Sequence, residues 1–78
     1  MISRTAEYAL RAVVCLAAGP ERPMTSPEIA RLARIPPGYL AKIMGALARG
    51  RIVRSRRGVG GGFLLARPVE ELTALEVV

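Results

Sequence analysis

The stretch Ser55-Arg56-Arg57-Gly58-Val59-Gly60-Gly61-Gly62-Phe63 sets two guanidinium groups at the lip of a glycine turn. Arginine is a permanent, planar cation whose five donors suit phosphate. Glycine lets a backbone approach a surface that side chains would hold away. The same glycines also suit plain hairpin geometry, and the residues alone do not separate the two readings. Upstream, Gly38, Ala41, Lys42, Gly45 and Arg49 recur three and four residues apart, as one stripe of a helix would. That stripe is small or cationic throughout. Small side chains let a helix lie deep in a duplex groove, and basic ones reach phosphates or guanine edges. The chemistry indicated is non-covalent recognition of a grooved polyanion. A phosphate-cradling nucleotide loop does not fit, because no Gly-Lys-Ser/Thr follows and the glycines do not open a helix.

Other chemistries find little support. The chain has no histidine, and its six acidic residues are all glutamate, so no paired nucleophile and base can be assembled; the expectation is a protein that is not an enzyme. Its single cysteine, Cys15, supports neither a disulfide framework nor a zinc cluster and reads as an inert thiol on an apolar helix. No apolar run reaches the length of a membrane span, and Arg4, Glu7 and Arg11 interrupt any signal-peptide layout. The net charge of +6 is unevenly spread. Residues 1–28 balance Arg4, Arg11 and Arg22 against Glu7, Glu21 and Glu28. Residues 29–69 carry Lys42 and eight arginines with no acid, and the acid returns as Glu70, Glu71 and Glu76. Solubilising surfaces mix signs, whereas a cationic middle marks a polyanion footprint.

The elements that must hold these groups follow from periodicity and caps. A first helix runs from near Ser3 or Thr5 to Ala18, stopped by Gly19-Pro20. Ala9, Ala12, Val13 and Leu16 form one apolar stripe; Ala6, Leu10, Val14 and Ala17 form a second. Such a helix is central to the fold, or covered on one side by a partner, or both. After a loop at residues 19–24, Thr25 with Glu28 fits a capping box, and Ser26 with Pro27 fits a cap followed by a first-turn proline. The short helix that follows, from Pro27 to about Ala33, is expected to bury Ile29, Leu32 and Ala33. Pro36 pushes Ile35 out of helical conformation, and Pro37 can open a third helix that ends at Arg49 with Gly50 as its stop. Leu40, Ile43, Met44 and Leu47 are its core stripe. Gly45 clears room either for a groove or for the second helix. A two-stranded ribbon over about residues 51–67 comes next, led in by Ile52-Val53 and out by Phe63-Leu64-Leu65. Thr73-Ala74-Leu75-Glu76 then offers a second capping box, so the sequence reads as cut shortly after a fourth helix begins.

Glu7-Tyr8-Ala9-Leu10-Arg11-Ala12, Glu28-Ile29-Ala30, Ile35 with Tyr39-Leu40, and Ser55-Arg56-Arg57-Gly58 with Gly61-Gly62-Phe63 and Leu65-Ala66-Arg67-Pro68 resemble the Rrf2 family. These are bacterial winged-helix transcription regulators of the IscR and NsrR type. The resemblance runs over nearly all 78 residues, in order and without a gap. It implies a mainly α fold with a small β-hairpin: a winged helix-turn-helix of three helices, a two-stranded wing and the start of a fourth helix. It implies a homodimer on pseudo-palindromic promoter DNA, with the third helix in the major groove and the wing in the minor groove. The contacts so implied are Pro37, Gly38, Tyr39, Ala41, Lys42 and Arg49 on the helix. On the wing they are Ser55, Arg56, Arg57, Gly58, Gly60 and Gly61. Tyr39 matches a tyrosine near the DNA backbone, although the residue alone reads equally as a half-buried packing group. Ala41 and Lys42 match base-contacting positions, and Arg57 matches the arginine inserted in the minor groove.

Two departures bear on this. Ala41 stands where some members carry an acidic residue that discriminates cytosine. Pro36-Pro37-Gly38 replaces a serine-rich lead-in, which removes hydroxyl and N–H donors. Many members hold an iron–sulfur cluster on three cysteines beyond the winged domain and dimerise through a long helix there. Neither feature lies in these 78 residues, so no cofactor is assigned to the chain. The expectation is a cytoplasmic, sequence-specific repressor whose residues 1–78 form its DNA-binding domain. The rival is a winged-helix module that docks an acidic protein without binding DNA. RNA binding is weaker, because only Tyr39 and Phe63 could stack bases and Phe63 suits a core.

Overall fold

The first helix, α1 (Arg4–Ala18), begins where the Ser3 side chain accepts a hydrogen bond from the Ala6 amide at 3.1 Å. Ser3 is therefore the cap, and Thr5 lies inside the helix. Ala9, Ala12, Val13 and Leu16 are buried on one face. The second apolar stripe is not covered: Ala17 is exposed and Val14 keeps 63% of its surface. The computed structural model describes residues 3–67. The capping box at Thr73-Ala74-Leu75-Glu76, and the fourth helix expected from it, lie outside the described residues.

Helix α2 (Ser26–Ala33) uses Thr25 as its cap, which decides between the two possible starts. Thr25 Oγ1 accepts from the Glu28 amide at 3.3 Å, and Glu28 Oε1 accepts from the Thr25 amide at 3.0 Å. Arg22 reinforces the box by gripping both Glu28 oxygens, at 3.2 and 2.9 Å. These contacts hold the Glu28 carboxyl at about 2, below its ordinary 4.5, with the Arg22 hydrogen bond the largest cause and the Thr25 amide second. The expected burial of Leu32 is wrong. Ile29, Ala30 and Ala33 face the core, and Leu32 is 56% exposed. At 100° per residue, Leu32 sits roughly 100° from the centre of that buried arc. With Leu10, Val14 and Ala18 it lines an open, largely apolar groove of about 910 Å³.

Two reversals build the helix-turn-helix, and both use the same device. After α2, Arg34 adopts the left-handed conformation at φ 56°, and the Ile35 amide reaches back to the Ala30 carbonyl at 3.0 Å. Helix α3 (Pro37–Arg49) follows at once. At its far end Arg51, at φ 59°, makes the turn, the Arg51 amide bonds Ala48 and the Ile52 amide bonds Leu47. This is the Schellman pattern. Gly50 ends the helix as expected, yet at φ −81° it does not make the left-handed turn. The apolar residues decide the placement. Ile35 and Ile52 are 3% and 2% exposed, so each must fold back onto the core one residue after its arginine.

Leu40, Ile43, Met44 and Leu47 seat α3 on α1 and α2. Each such burial stabilises by roughly 1.5–3 kcal/mol relative to exposure. The ribbon follows: β1 (Val53–Arg56) pairs antiparallel with β2 (Gly62–Leu65), Val53 opposite Leu65 and Arg56 opposite Gly62. The strands are thus shorter than the span expected for the wing. Phe63 packs against the core, as its position in the ribbon suggested.

One core residue was missed in the sequence. Met24, expected in a loop, is 1% exposed and exchanges two backbone hydrogen bonds with Phe63, at 3.0 and 2.8 Å. The ribbon is thereby tied to the start of α2. A signal was available: Met24 precedes the cap and Ile29 is four positions inside the helix, the pairing of a hydrophobic staple. The bridge also explains Gly62. Its φ is 149°, and a Cβ there would collide with the Met24 carbonyl.

Gly62→Ala should lower folding stability by about 2–3 kcal/mol, read as a lower urea midpoint at unchanged slope. Gly58→Ala has strain alone, since nothing lies within 4 Å of its Cβ position, and should lose less. Glu28 provides a pH test. A carboxyl depressed in the fold stabilises it above its unfolded pKa, and that contribution drains away as pH falls from about 4.5 towards about 2. Glu28→Gln keeps a cap acceptor but removes the charge. Thermal melts should show the wild type losing its advantage over this variant across that window.

Candidate nucleic-acid interface

The outer side of α3 is as the periodicity requires. Pro37, Gly38, Ala41, Lys42, Ala48 and Arg49 are exposed, and Gly45 is half-buried. Gly45 has no packing contact with α2: a Cβ there would meet only Arg49 Nη1, at 3.4 Å. Nothing lies within 4 Å of a Cβ on Gly38. The smallness of this face therefore answers no demand from inside the fold. Ala41, Gly45 and Ala48 sit four and three residues apart and form one line down the helix. That line ends at the wing, because Ala48 and Arg51 share a cavity of about 650 Å³ with Arg54 and Ser55.

The start of α3 is fixed from α1. Pro36 precedes the helix and gives no side-chain cap, and its carbonyl accepts from the Tyr39 and Leu40 amides at 3.0 Å each. Of Pro36, Pro37 and Gly38, only Gly38 carries an N–H. Tyr39, 40% exposed, sets its ring edge-on to Tyr8 with centroids 5.5 Å apart. Arg11 lies over the Tyr8 ring at 5.4 Å, donates to the Arg34 carbonyl at 3.2 Å and pairs with Glu7 at 3.0 Å. Both readings of Tyr39 keep a place: the ring is a packing group, and the residue remains open to solvent.

The wing carries Arg54, Ser55 and Arg56 on β1 and Arg57 just beyond it, all exposed. Gly58 and Gly60 have φ of 96° and 76°, and the Gly61 amide closes the turn onto the Gly58 carbonyl at 2.9 Å. A Cβ on Gly61 would strike the Arg56 carbonyl. Hairpin geometry alone thus requires these glycines. Val59 caps the turn, fully exposed.

The charge distribution is one-sided. Glu7 pairs with Arg11, and Glu28 with Arg22. Lys42, Arg49, Arg51, Arg54, Arg56 and Arg57 pair with no carboxylate among the described residues. Arg51 and Arg54 were not among the residues expected from sequence; they lie on the same edge as those that were. Cys15 is half-buried on the α1 side. Burial raises its thiol pKa, and the Glu28 carboxylate adds to the rise, so the thiol stays protonated. Among the described residues no group of three or more His, Cys, Asp or Glu could hold a metal ion. No helix among them is long and apolar enough to cross a membrane.

Known proteins share this arrangement. The family profile described as Rrf2, iron-dependent transcriptional regulator, matches residues 2–78. An HTH-type transcriptional regulator of Mycobacterium tuberculosis, Rv1287, is 41% identical over 78 residues, covering 99% of this chain and 48% of that protein. One from Aquifex aeolicus is 36% identical over 78 residues, covering 100% of this chain and 54% of that protein. The chain spans about half the length of the curated relatives it matches. Among solved structures, IscR of T. potens superposes with a TM-score of 0.90 at 27% identity, over 99% of this chain and 57% of that one. CymR, the global cysteine regulator of B. subtilis, superposes with a TM-score of 0.89 at 28% identity, over 99% of this chain and 60% of that one. These neighbours have the winged-helix fold expected from sequence. The chain belongs to the Rrf2 family of transcriptional regulators.

Proposed function

We propose that the chain is the DNA-binding domain of a longer, cytoplasmic repressor that reads promoter DNA as a homodimer. Helix α3 lies in the major groove, its small face admitting the duplex while Ala41 and Lys42 meet base edges. Pro37, Gly38, Tyr39 and Arg49 meet the backbone. The wing tip places Arg57 in the minor groove, where a narrow A·T tract attracts a guanidinium. Ser55, Arg56 and the turn of Gly58, Gly60 and Gly61 follow the flanking phosphates. One observation carries this reading: a continuous edge of exposed, unpaired cations and small residues, with the carboxylates nearby already occupied by other arginines.

The dimer is supported by a separate feature. Val14 and Leu32 stay 63% and 56% exposed beside the apolar groove, on a helix whose other face is the core. Solvent is a poor neighbour for contiguous apolar surface of this kind. Such a face also suits the rival module that docks a protein, but the unpaired cations would then have no role.

Duplex binding measured against salt tests the proposal. A dimer that neutralises about 6 phosphates gives a log–log slope of about −5. Arg57→Ala should weaken binding by about 1–3 kcal/mol and relax preference for narrow A·T sequence. Salt-insensitive binding, or full affinity after both Arg57→Ala and Lys42→Ala, would refute the mechanism.

A further inference from the structure

The cavity at the base of the wing is lined by more cations than the helix-and-wing footprint uses. Arg51 closes α3, Arg54 lies on β1, and Arg67 follows β2; Ala48, Ser55 and Ala66 supply small walls between them. No carboxylate lines it. Three guanidinium groups around one cavity repel each other unless an anion sits among them. Small walls leave room for such an anion, and arginine forks match phosphate oxygens.

Arg51 adds a second, independent sign. It holds a left-handed backbone at φ 59°, a conformation that costs an arginine more than a glycine. The Schellman turn needs only the backbone there, so glycine would serve the fold better. An arginine kept at a strained position is a reason to look for work done by its side chain. The location suits that work. From Val53 to Arg56 the strand covers about 10 Å at ~3.3 Å per residue. A major groove is about 12 Å across, so the wing base and wing tip can address phosphates of one duplex at the same time.

We infer that Arg51, Arg54 and Arg67 form a phosphate-binding notch that clamps a backbone phosphodiester of duplex DNA next to the segment read by α3 and the wing tip. This rests on the duplex reading proposed above and extends it. The notch takes a phosphate of any sequence, so it sets affinity and salt dependence, not base preference.

The test uses the chain with a mixed-sequence duplex, because phosphate contacts need no operator. Fluorescence anisotropy from about 50 to 200 mM salt gives the slope of log K against log salt. Arg51→Gly and Arg54→Ala should each flatten the slope by about 0.9 per protomer, and the pair by about 1.8. Arg51→Gly should melt at the same temperature as wild type or higher, which separates lost binding from lost folding. Arg4→Ala on α1 removes the same charge elsewhere and should change the slope less. Wild-type binding with an unchanged slope in both notch variants overturns the notch and leaves the helix-and-wing reading intact. Absence of any wild-type duplex binding overturns both. A parallel titration with inorganic phosphate, followed by NMR at the Arg51, Arg54 and Ser55 amides, separates the sources. Saturable phosphate binding with unaltered duplex slopes marks a small-anion pocket and overturns the duplex assignment.

Discussion

Two isoleucines govern this fold. A core of so few residues cannot spare an apolar side chain, and a domain of this size buries a modest share of its surface. Ile35 and Ile52 each follow a helix and each must turn back into that core. The chain can do so only if the residue before each makes a left-handed turn. That residue is arginine both times, in the pairs Arg34-Ile35 and Arg51-Ile52. Hydrophobic burial thus overrides the backbone preference of arginine. The consequence is structural and electrostatic together: the reversal that brings isoleucine in sends a cation out. One such turn sets the angle between α2 and α3, and the other sets the wing against α3.

The second constraint is how the acids are spent. Glu7 and Glu28 are engaged with Arg11 and Arg22, where they brace the α1 surface and the α2 cap. Neither ion pair is buried, and exposed pairs are individually weak. Their larger effect is to keep these carboxylates occupied away from α3 and the wing. Lys42 and the wing arginines then carry an unneutralised field, which is what a polyanion meets first. The half of the fold that is structurally braced by acid and the half that is electrostatically bare are therefore two sides of one distribution already present in the linear sequence.

Much of this could be read from residues in order. The helical stripes placed α1 and α3 and their buried faces, and the caps placed every helix start to within a choice of two. The wing register followed from Ile52-Val53 and Phe63-Leu64-Leu65 around a glycine turn. What escaped was contact between segments distant in sequence. Met24 looked like loop because its partner, Phe63, lies across the ribbon. Leu32 looked like core because period alone does not say where a short helix's buried arc is centred. Gly50 looked like the turn because glycine is the usual left-handed residue; the position was set by Ile52, one step further on. In the interface, Arg51 and Arg54 were overlooked for a related reason. Their proximity comes from the closing of the ribbon onto α3, which no local pattern contains.

Helix α1 joins these parts. Its buried stripe is core, and its Tyr8 and Arg11 hold Tyr39 and the Arg34 carbonyl at the start of α3. Its third side, with Leu10, Val14 and Ala18, opens onto the apolar groove, and Glu7, Arg11 and Arg34 also line that groove. The same guanidinium therefore borders the uncovered surface and fixes the first turn of α3. Arg11 has one set of donors to share among Glu7, the Arg34 carbonyl and the Tyr8 face. Whatever draws it towards the groove must loosen its hold on the other partners, and with them the seat of Tyr39. The apolar face and the cationic face are thus mechanically adjacent, although their chemistries are opposite.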